Sequence, residues 1–251
     1  MDDFSGKIAL VTGASRGIGK AIALALAKAG AYVIVNYVSN EKAAGETMEE
    51  IRRLGGHGET FRANVQDAEN VEAMFQHIRT AHGKLDILVN NAAILSRVPF
   101  LEMSLDEWER VMDGNVRGYF LCGQQAARMM VERGYGRIIN ISSISQYQAA
   151  VNRSHYCTSK GAIGMLTKCM ALELAGKGIT VNSVVPGSIH TDFNNDVLSD
   201  PQYYAEFLRK IPAGRLGCAA DVVPPVMMLA SDEAGYITGA SVAVDGGVLV
   251  Q

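Results

Sequence analysis

A glycine-rich bend between an apolar strand and a helix limits most strongly what this chain can fold into. Ile8-Ala9-Leu10-Val11 is a short, continuous apolar run of buried-strand type, and Ala21 to Ala27 reads as a helix. Between them lies Thr12-Gly13-Ala14-Ser15-Arg16-Gly17-Ile18-Gly19. Glycines allow a tight turn and a close backbone approach, and a helix start offers unpaired N–H groups and a positive dipole end to an anion. A strand before the bend and a helix after it are the context in which such a stretch cradles a dinucleotide pyrophosphate. The spacing, Gly-x3-Gly-x-Gly, is one residue longer than Gly-x-Gly-x-x-Gly over its first interval.

The alternation continues along the chain. Strands are predicted near 32–35, 58–63, 85–90, 137–142, 179–185 and 241–245, and helices near 40–54, 68–82, 105–133, 155–176 and 219–230. Ser104-Leu105-Asp106-Glu107 is a capping-box signature for the long third helix of that series. Solid apolar strands alternating with helices predict an α/β fold: one doubly wound parallel sheet of about seven strands, with helices on both faces. No linker or repeat divides the chain, so residues 1–251 are expected to form a single domain. Residues 188–212 break the rhythm after a strand; a lid over a ligand is expected there, with a plain surface hairpin as the alternative.

The second strand ends Val35-Asn36-Tyr37, where an NAD site places a carboxylate for the ribose 2′-hydroxyl. Asn36 leaves no carboxylate to repel a 2′-phosphate, and Arg16 can pair with one unless it is only a solvated loop cation. NADP is therefore favoured over NAD, which stays possible. Asp at position 36 is expected to reverse that preference.

Tyr156 and Lys160 stand at i and i+4, on one helix face. Just upstream, Ile138 to Ser143 reads as a strand ending in serines, which puts Ser143 at the same sheet edge as the phosphate bend. Hydride exchange at a carbinol carbon needs proton transfer at its oxygen. A phenol near pKa 10 is a poor base at neutral pH, and a nearby ammonium favours the phenolate. Ser143 can donate a hydrogen bond to the reacting oxygen. Gly114-Asn115, two poor helix formers inside a predicted helix, mark a local rule broken near the site.

In these motifs the chain resembles the short-chain dehydrogenase/reductase family over essentially its whole length. The matching residues are Thr12-Gly13-x3-Gly17-Ile18-Gly19, Asn90-Asn91-Ala92, Asn115, Ser143, Tyr156-x3-Lys160 and Pro186-Gly187. The resemblance implies a Rossmann-type fold, a homotetramer, Tyr156 as general acid/base, Ser143 on the substrate oxygen and Lys160 on the nicotinamide ribose. It also implies that Asn115 anchors a water leading to Lys160, that Asn91 supports sheet and cofactor, and that Thr191 binds the carboxamide, beside Ile189. Two positions depart from the usual family pattern. Ala93 stands where glycine is common, which narrows the space beside nicotinamide. Asn64-Val65 stands where Asp-Val commonly meets adenine.

Other function classes find little support. Lys and Arg number 23 against 26 Asp and Glu, a net charge of −3, with no basic cluster to suggest nucleic acid. No apolar run reaches the ~18 residues of a membrane helix, and the acidic start lacks signal-peptide character, so a cytoplasmic location is expected. The four cysteines form no paired motif, and the five histidines are scattered with none at i, i+4 from another and none paired with a nearby cysteine, so no metal site is expected. His155 and His190 are expected only to line the pocket beside Tyr156 and Thr191. A non-catalytic cofactor sensor on the same fold stays open as a different class, against which Ser143, Tyr156 and Lys160 argue.

The expected partner is a small molecule. Ser145, Gln146 and Asn152 put polar groups around Ser143 and Tyr156, which suits a polyhydroxylated ligand better than a hydrocarbon. Val35-Asn36-Tyr37, Ser199-Asp200-Pro201 and Ile211-Pro212-x2-Arg215-Leu216-Gly217 are similar to the aldose 1-dehydrogenase branch. Oxidation of an aldose at C1 to the lactone is the leading expectation. Reduction of a 3-oxoacyl thioester or a general ketone is the alternative, left open by Arg97, Arg117 and Arg153.

Overall fold

Side-chain parity along the strands explains the architecture. In the computed structural model, which describes residues 3–190 and 208–251, Ala9 and Val11 of β1 (Ile8–Val11) face one side of the sheet, and Ile8 and Leu10 face the other. The same alternation holds in β2 (Tyr32–Tyr37), β4 (Ile87–Asn90) and β5 (Gly136–Ile141). A strand apolar on both faces must be covered on both, which antiparallel hairpins do not achieve and crossover helices do.

With β3 (His57–Arg62), β6 (Ile179–Pro186) and β7 (Ser241–Val244), these strands form one parallel sheet in the order β3-β2-β1-β4-β5-β6-β7. Helices α1 (Gly17–Lys28), α2 (Glu41–Arg53) and α7 (Ala219–Ala230) cover one face with Ile22, Leu26, Met48, Ile51, Val222, Val226 and Leu229. Helices α3 (Ala68–His82), α5 (Gly118–Val131) and α6 (Ser154–Leu174) cover the other with Met74, Ile78, Cys122, Met129, Ala171 and Leu174. The doubly wound sheet of seven strands is thus as expected from the sequence.

Two expectations need correction. The continuous helix over 105–133 is instead α4 (Leu105–Met112), a π-helical turn over Asp113–Arg117, and then α5. The turn falls on Gly114-Asn115, and a methyl on Gly114 would lie 2.5 Å from Ile94 Cδ1, so the extra residue lets the helix pass a close neighbour. The capping box is only half made. Ser104 Oγ accepts the Glu107 N–H at 3.2 Å, while the Glu107 carboxylate turns to Arg110 and Ser96. Of the proposed lid, residues 191–207 lie outside the described residues, and with them Thr191 and Ser199-Asp200-Pro201.

Asp86 holds the amino end of the central sheet. It is 2% exposed, accepts the Ile8 N–H at 2.8 Å, and pairs with Lys84 and Arg133 at 3.0 Å each. Asp86→Ala leaves that buried N–H without an acceptor, while the two half-exposed cations reach water. Stability should fall by about 1–3 kcal/mol, read as a lower urea midpoint at unchanged slope.

Candidate active site

Strand order reverses beside β1, so the loops after β1 and β4 diverge at the carboxyl edge and leave a crevice. A cavity of about 830 Å³ opens there. It brings together Gly13, Ser15, Arg16, Gly17 and Ile18 from the bend, Asn91, Ala92 and Ala93 after β4, Ser143 and Ser145 after β5, Tyr156 and Lys160 on α6, and Pro186, Gly187 and Ile189 after β6. Residues distant in sequence therefore share one wall system, with Tyr156 and Lys160 facing the glycine bend.

The bend fits a pyrophosphate. Arg16, the residue before α1, is extended and makes no side-chain cap, so the first N–H groups of the helix stay open to an anion. Gly13 holds φ +61° with its position against Ala92, and a methyl on Gly19 would lie 2.5 Å from Asn91 Nδ2. Thr12 Oγ1 accepts the N–H groups of Asn91 and Ala92 at 2.9 and 3.1 Å, and Asn91 Nδ2 donates to the Thr12 and Gly13 carbonyls. Gly19 and Asn91 thus brace the bend from behind.

The catalytic candidates sit on a buried frame. Lys160 Nζ donates to the Ile141 carbonyl at 3.0 Å, and the Tyr119 hydroxyl donates to the same oxygen at 2.8 Å. Burial pulls the Lys160 amine from 10.5 down to about 7. Burial pushes the Tyr156 phenol up, opposed by a hydrogen bond with Ser143 and the charge of Arg153. Among the groups of the chain itself, Lys160 does not act on the phenol as expected. Nζ stands 5.7 Å from the Tyr156 ring centroid and is spent on a carbonyl, and Ser143 and Arg153 are the groups that favour phenolate.

Asn115 lies behind the crevice wall and is fully buried. Its Oδ1 accepts the Ile94 N–H at 2.6 Å, and its Nδ2 donates to the Ile94 carbonyl and to Ser159 Oγ. Ser159 in turn donates to the Tyr156 carbonyl at 2.7 Å. The π-helical turn thus clamps the loop after β4 to the first turns of α6.

Several of the expected residues do not line the cavity. Asn36 is buried, its oxygen on the Gly13 N–H at 3.2 Å and its amide on the Phe61 and Ala63 carbonyls, so it braces the bend and does not line the cavity. Strand parity is the reason: 34 and 36 share one face, and the wall begins at Tyr37, Val38, Ser39 and Asn40. Asn64 and Val65 are not on the wall either; the Asn64 oxygen accepts the Gln66 N–H, and Val65 packs under Gly118. Gln146 turns back between Gly164 and Ser241, and Asn152 is exposed at φ +62°, while Gln148 and Arg153 take the wall. His155 is buried on Ser96 Oγ at 2.8 Å and lines nothing. Ser96 links it to Glu107, whose carboxyl Arg110 first, and Ser96 second, hold down to about 2. The remaining histidines are not all isolated: His77 and His82 converge on Glu59.

Residues 13–249 match the family model described as enoyl-(acyl carrier protein) reductase. The chain is 43% identical to the 3-oxoacyl-[acyl-carrier-protein] reductase FabG of Staphylococcus aureus, covering 96% of this chain and 98% of that one. It is 40% identical to glucose 1-dehydrogenase 2 of Bacillus subtilis, covering 98% and 96%. A gluconate 5-dehydrogenase from Burkholderia cenocepacia, solved in complex with NADP and tartrate, superposes with a TM-score of 0.94 at 34% identity, covering 99% and 97%.

The Lys160 shift has a signed consequence. In the folded chain the amine is neutral above about pH 7, whereas an unfolded lysine keeps its proton to about pH 10.4. Inside that window the unfolded state binds more protons, so stability rises with pH, by up to ~1.4 kcal/mol per unit. The wild-type urea midpoint should climb relative to that of Lys160→Met across the window. Parallel profiles would show an amine that stays charged.

Proposed function

The chain belongs to the short-chain dehydrogenase/reductase family, and we propose that it moves hydride between NADP and a carbinol carbon of a sugar-like substrate. The observation that carries this reading is the charge of the crevice. Arg16, Arg97, Arg153 and Lys210 line it, and among the described residues no Asp or Glu does. Among the described residues, those lining the crevice beside Arg16 are Ser39 and Asn40, a hydroxyl and an amide that do not repel a 2′-phosphate.

NADP, when bound, supplies the hydride acceptor or donor. Gly13, Ser15, Arg16, Gly17 and Ile18 would hold its phosphates, and Ala92, Ala93, Pro186, Gly187 and Ile189 its nicotinamide end. Tyr156 takes the proton from the carbinol oxygen in oxidation and returns it in reduction. Ser143 holds that oxygen by a hydrogen bond. Lys160 would hold the nicotinamide ribose, and Asn115, which clamps the loop after β4 to α6, would keep that helix turn in place.

Hydroxyl and amide groups of Ser143, Ser145 and Gln148 suit a polyol, because a hydrocarbon would leave them unpaired. Oxidation of an aldose at C1 to the lactone fits these walls. A sugar acid fits them as well and gives Arg153 a carboxylate to pair with. The second reading, reduction of a 3-oxoacyl thioester by NADPH, is favoured by the basic side chains Arg97 and Lys210 on the crevice wall, which suit an acidic carrier. Exposed Phe100, Leu101, Leu105, Met165 and Leu172 support the homotetramer that the family resemblance implies.

Absorbance of reduced nicotinamide should change with an aldose or aldonate panel and NADP, and Tyr156→Phe should lower kcat by about 10²–10⁴-fold while cofactor still binds. Turnover confined to acyl thioesters would select the second reading, and an unimpaired Tyr156→Phe would remove the mechanism. Cofactor choice is tested at Ser39. Ser39→Asp should weaken NADPH relative to NADH by at least about tenfold, about 1.4 kcal/mol, measured by titration. Asn36→Asp should instead lower stability without that shift, since a carboxylate there faces two carbonyls.

A further inference from the structure

On the far rim of the sheet, away from the crevice, three metal-ligand side chains converge. Glu59 lies on β3, the edge strand that pairs only with β2. His77 and His82 lie on α3, five residues apart, so they approach Glu59 from different sides of the helix. His77 Nε2 is 3.0 Å and His82 Nε2 2.9 Å from the same Glu59 oxygen, Oε1, and the three ligand atoms all lie within 4.8 Å of one another. None of the three lines the crevice.

We propose that Glu59, His77 and His82 form a binding site for a borderline divalent cation of the zinc type, which ties the edge strand to the helix that follows it. The donor set is one carboxylate oxygen and two imidazole nitrogens, a combination such ions favour, with water left to fill the fourth tetrahedral position. Bonds of ~2.0–2.2 Å place tetrahedral ligands roughly 3.3 Å apart. The two nitrogen–oxygen separations already stand within a few tenths of an ångström of that value, and the two nitrogens lie within 4.8 Å of each other.

The rings are also braced. The Tyr32 ring lies 4.7 Å from that of His82, and the Phe61 ring 5.1 Å from that of His77, centroid to centroid. Such packing orients ligands before the ion arrives. The site is reachable, since the side chains of His77, His82 and Glu59 are 38%, 13% and 28% exposed.

The role is structural. An ion there links β3 to α3 across the rim without touching the hydride-transfer machinery, and binding to the folded chain alone raises stability by mass action. The test uses the full chain, stripped with chelator and titrated with Co²⁺ and then Zn²⁺. One equivalent of Co²⁺ should give the visible absorption of a four-coordinate site, and Zn²⁺ should abolish it. Zn²⁺ at a hundredfold excess over its dissociation constant should raise Tm by about 5–10 °C. His77→Gln and His82→Gln should each lose the absorption and the Tm shift, with kcat unchanged and metal-free Tm close to wild type. Absence of the Co²⁺ band in the wild type overturns the proposal. So do variants that keep the band and shift, or a thiolate-to-metal band showing that Cys157, Cys169 or Cys218 holds the ion.

Discussion

The carbonyl of Ile141, the last residue of β5, is where sheet and catalytic helix meet. It accepts both the Lys160 amine and the Tyr119 hydroxyl, two of the largest side chains in the interior. A buried amine is costly unless a partner offsets its desolvation. This one has the Ile141 carbonyl as partner at 3.0 Å, and burial favours loss of its proton. Because β5 sits at the middle of a sheet packed on both faces, the carbonyl cannot drift, and neither can the amine or the helix turn that carries Tyr156. The crevice inherits its geometry from that anchor.

Around the anchor, several buried asparagines bridge separate elements. Asn140 accepts from Asn90 and donates to Thr167. Asn115 joins Ile94 to Ser159, and Asn36 joins the glycine bend to the end of β3. An amide side chain offers both donors and an acceptor, so one residue can tie a strand end, a loop and a helix together where no ladder reaches. Such bridges contribute modest net stability, but breaking one leaves buried groups unpaired. They hold the loops after β1, β4 and β5 in one arrangement while those loops border a large cavity.

Much of this was legible before any coordinates. The period of the apolar runs located seven strands, and Gly13-to-Gly19, Ser143, Tyr156 and Lys160 were readable as one site because sheet topology sends all strand ends to one edge. The orientation of single side chains was not. Asn36 was misread because the last residues of β2 decide parity, and a one-residue difference separates a wall residue from a brace. Gln146 and Asn152 were misread because a loop has no period. Val38, Ser39 and Asn40 could have been found by counting forward from Val35. The meeting of His77 and His82 with Glu59 had no signal in their spacing.

What the sequence determined alone was the class of fold and the chemistry available, because hydrophobic period and the glycine bend admit few alternatives, and because a phenol and an amine one helical turn apart share a face in any helix. What only the tertiary structure decided was which polar groups meet. Hydrogen bonds are short and directional, and partners such as Asn36 and Ala63, Asn115 and Ile94, or Glu59 and His82 stand 27, 21 and 23 residues apart. Their distances depend on packing between whole elements, which no local pattern records.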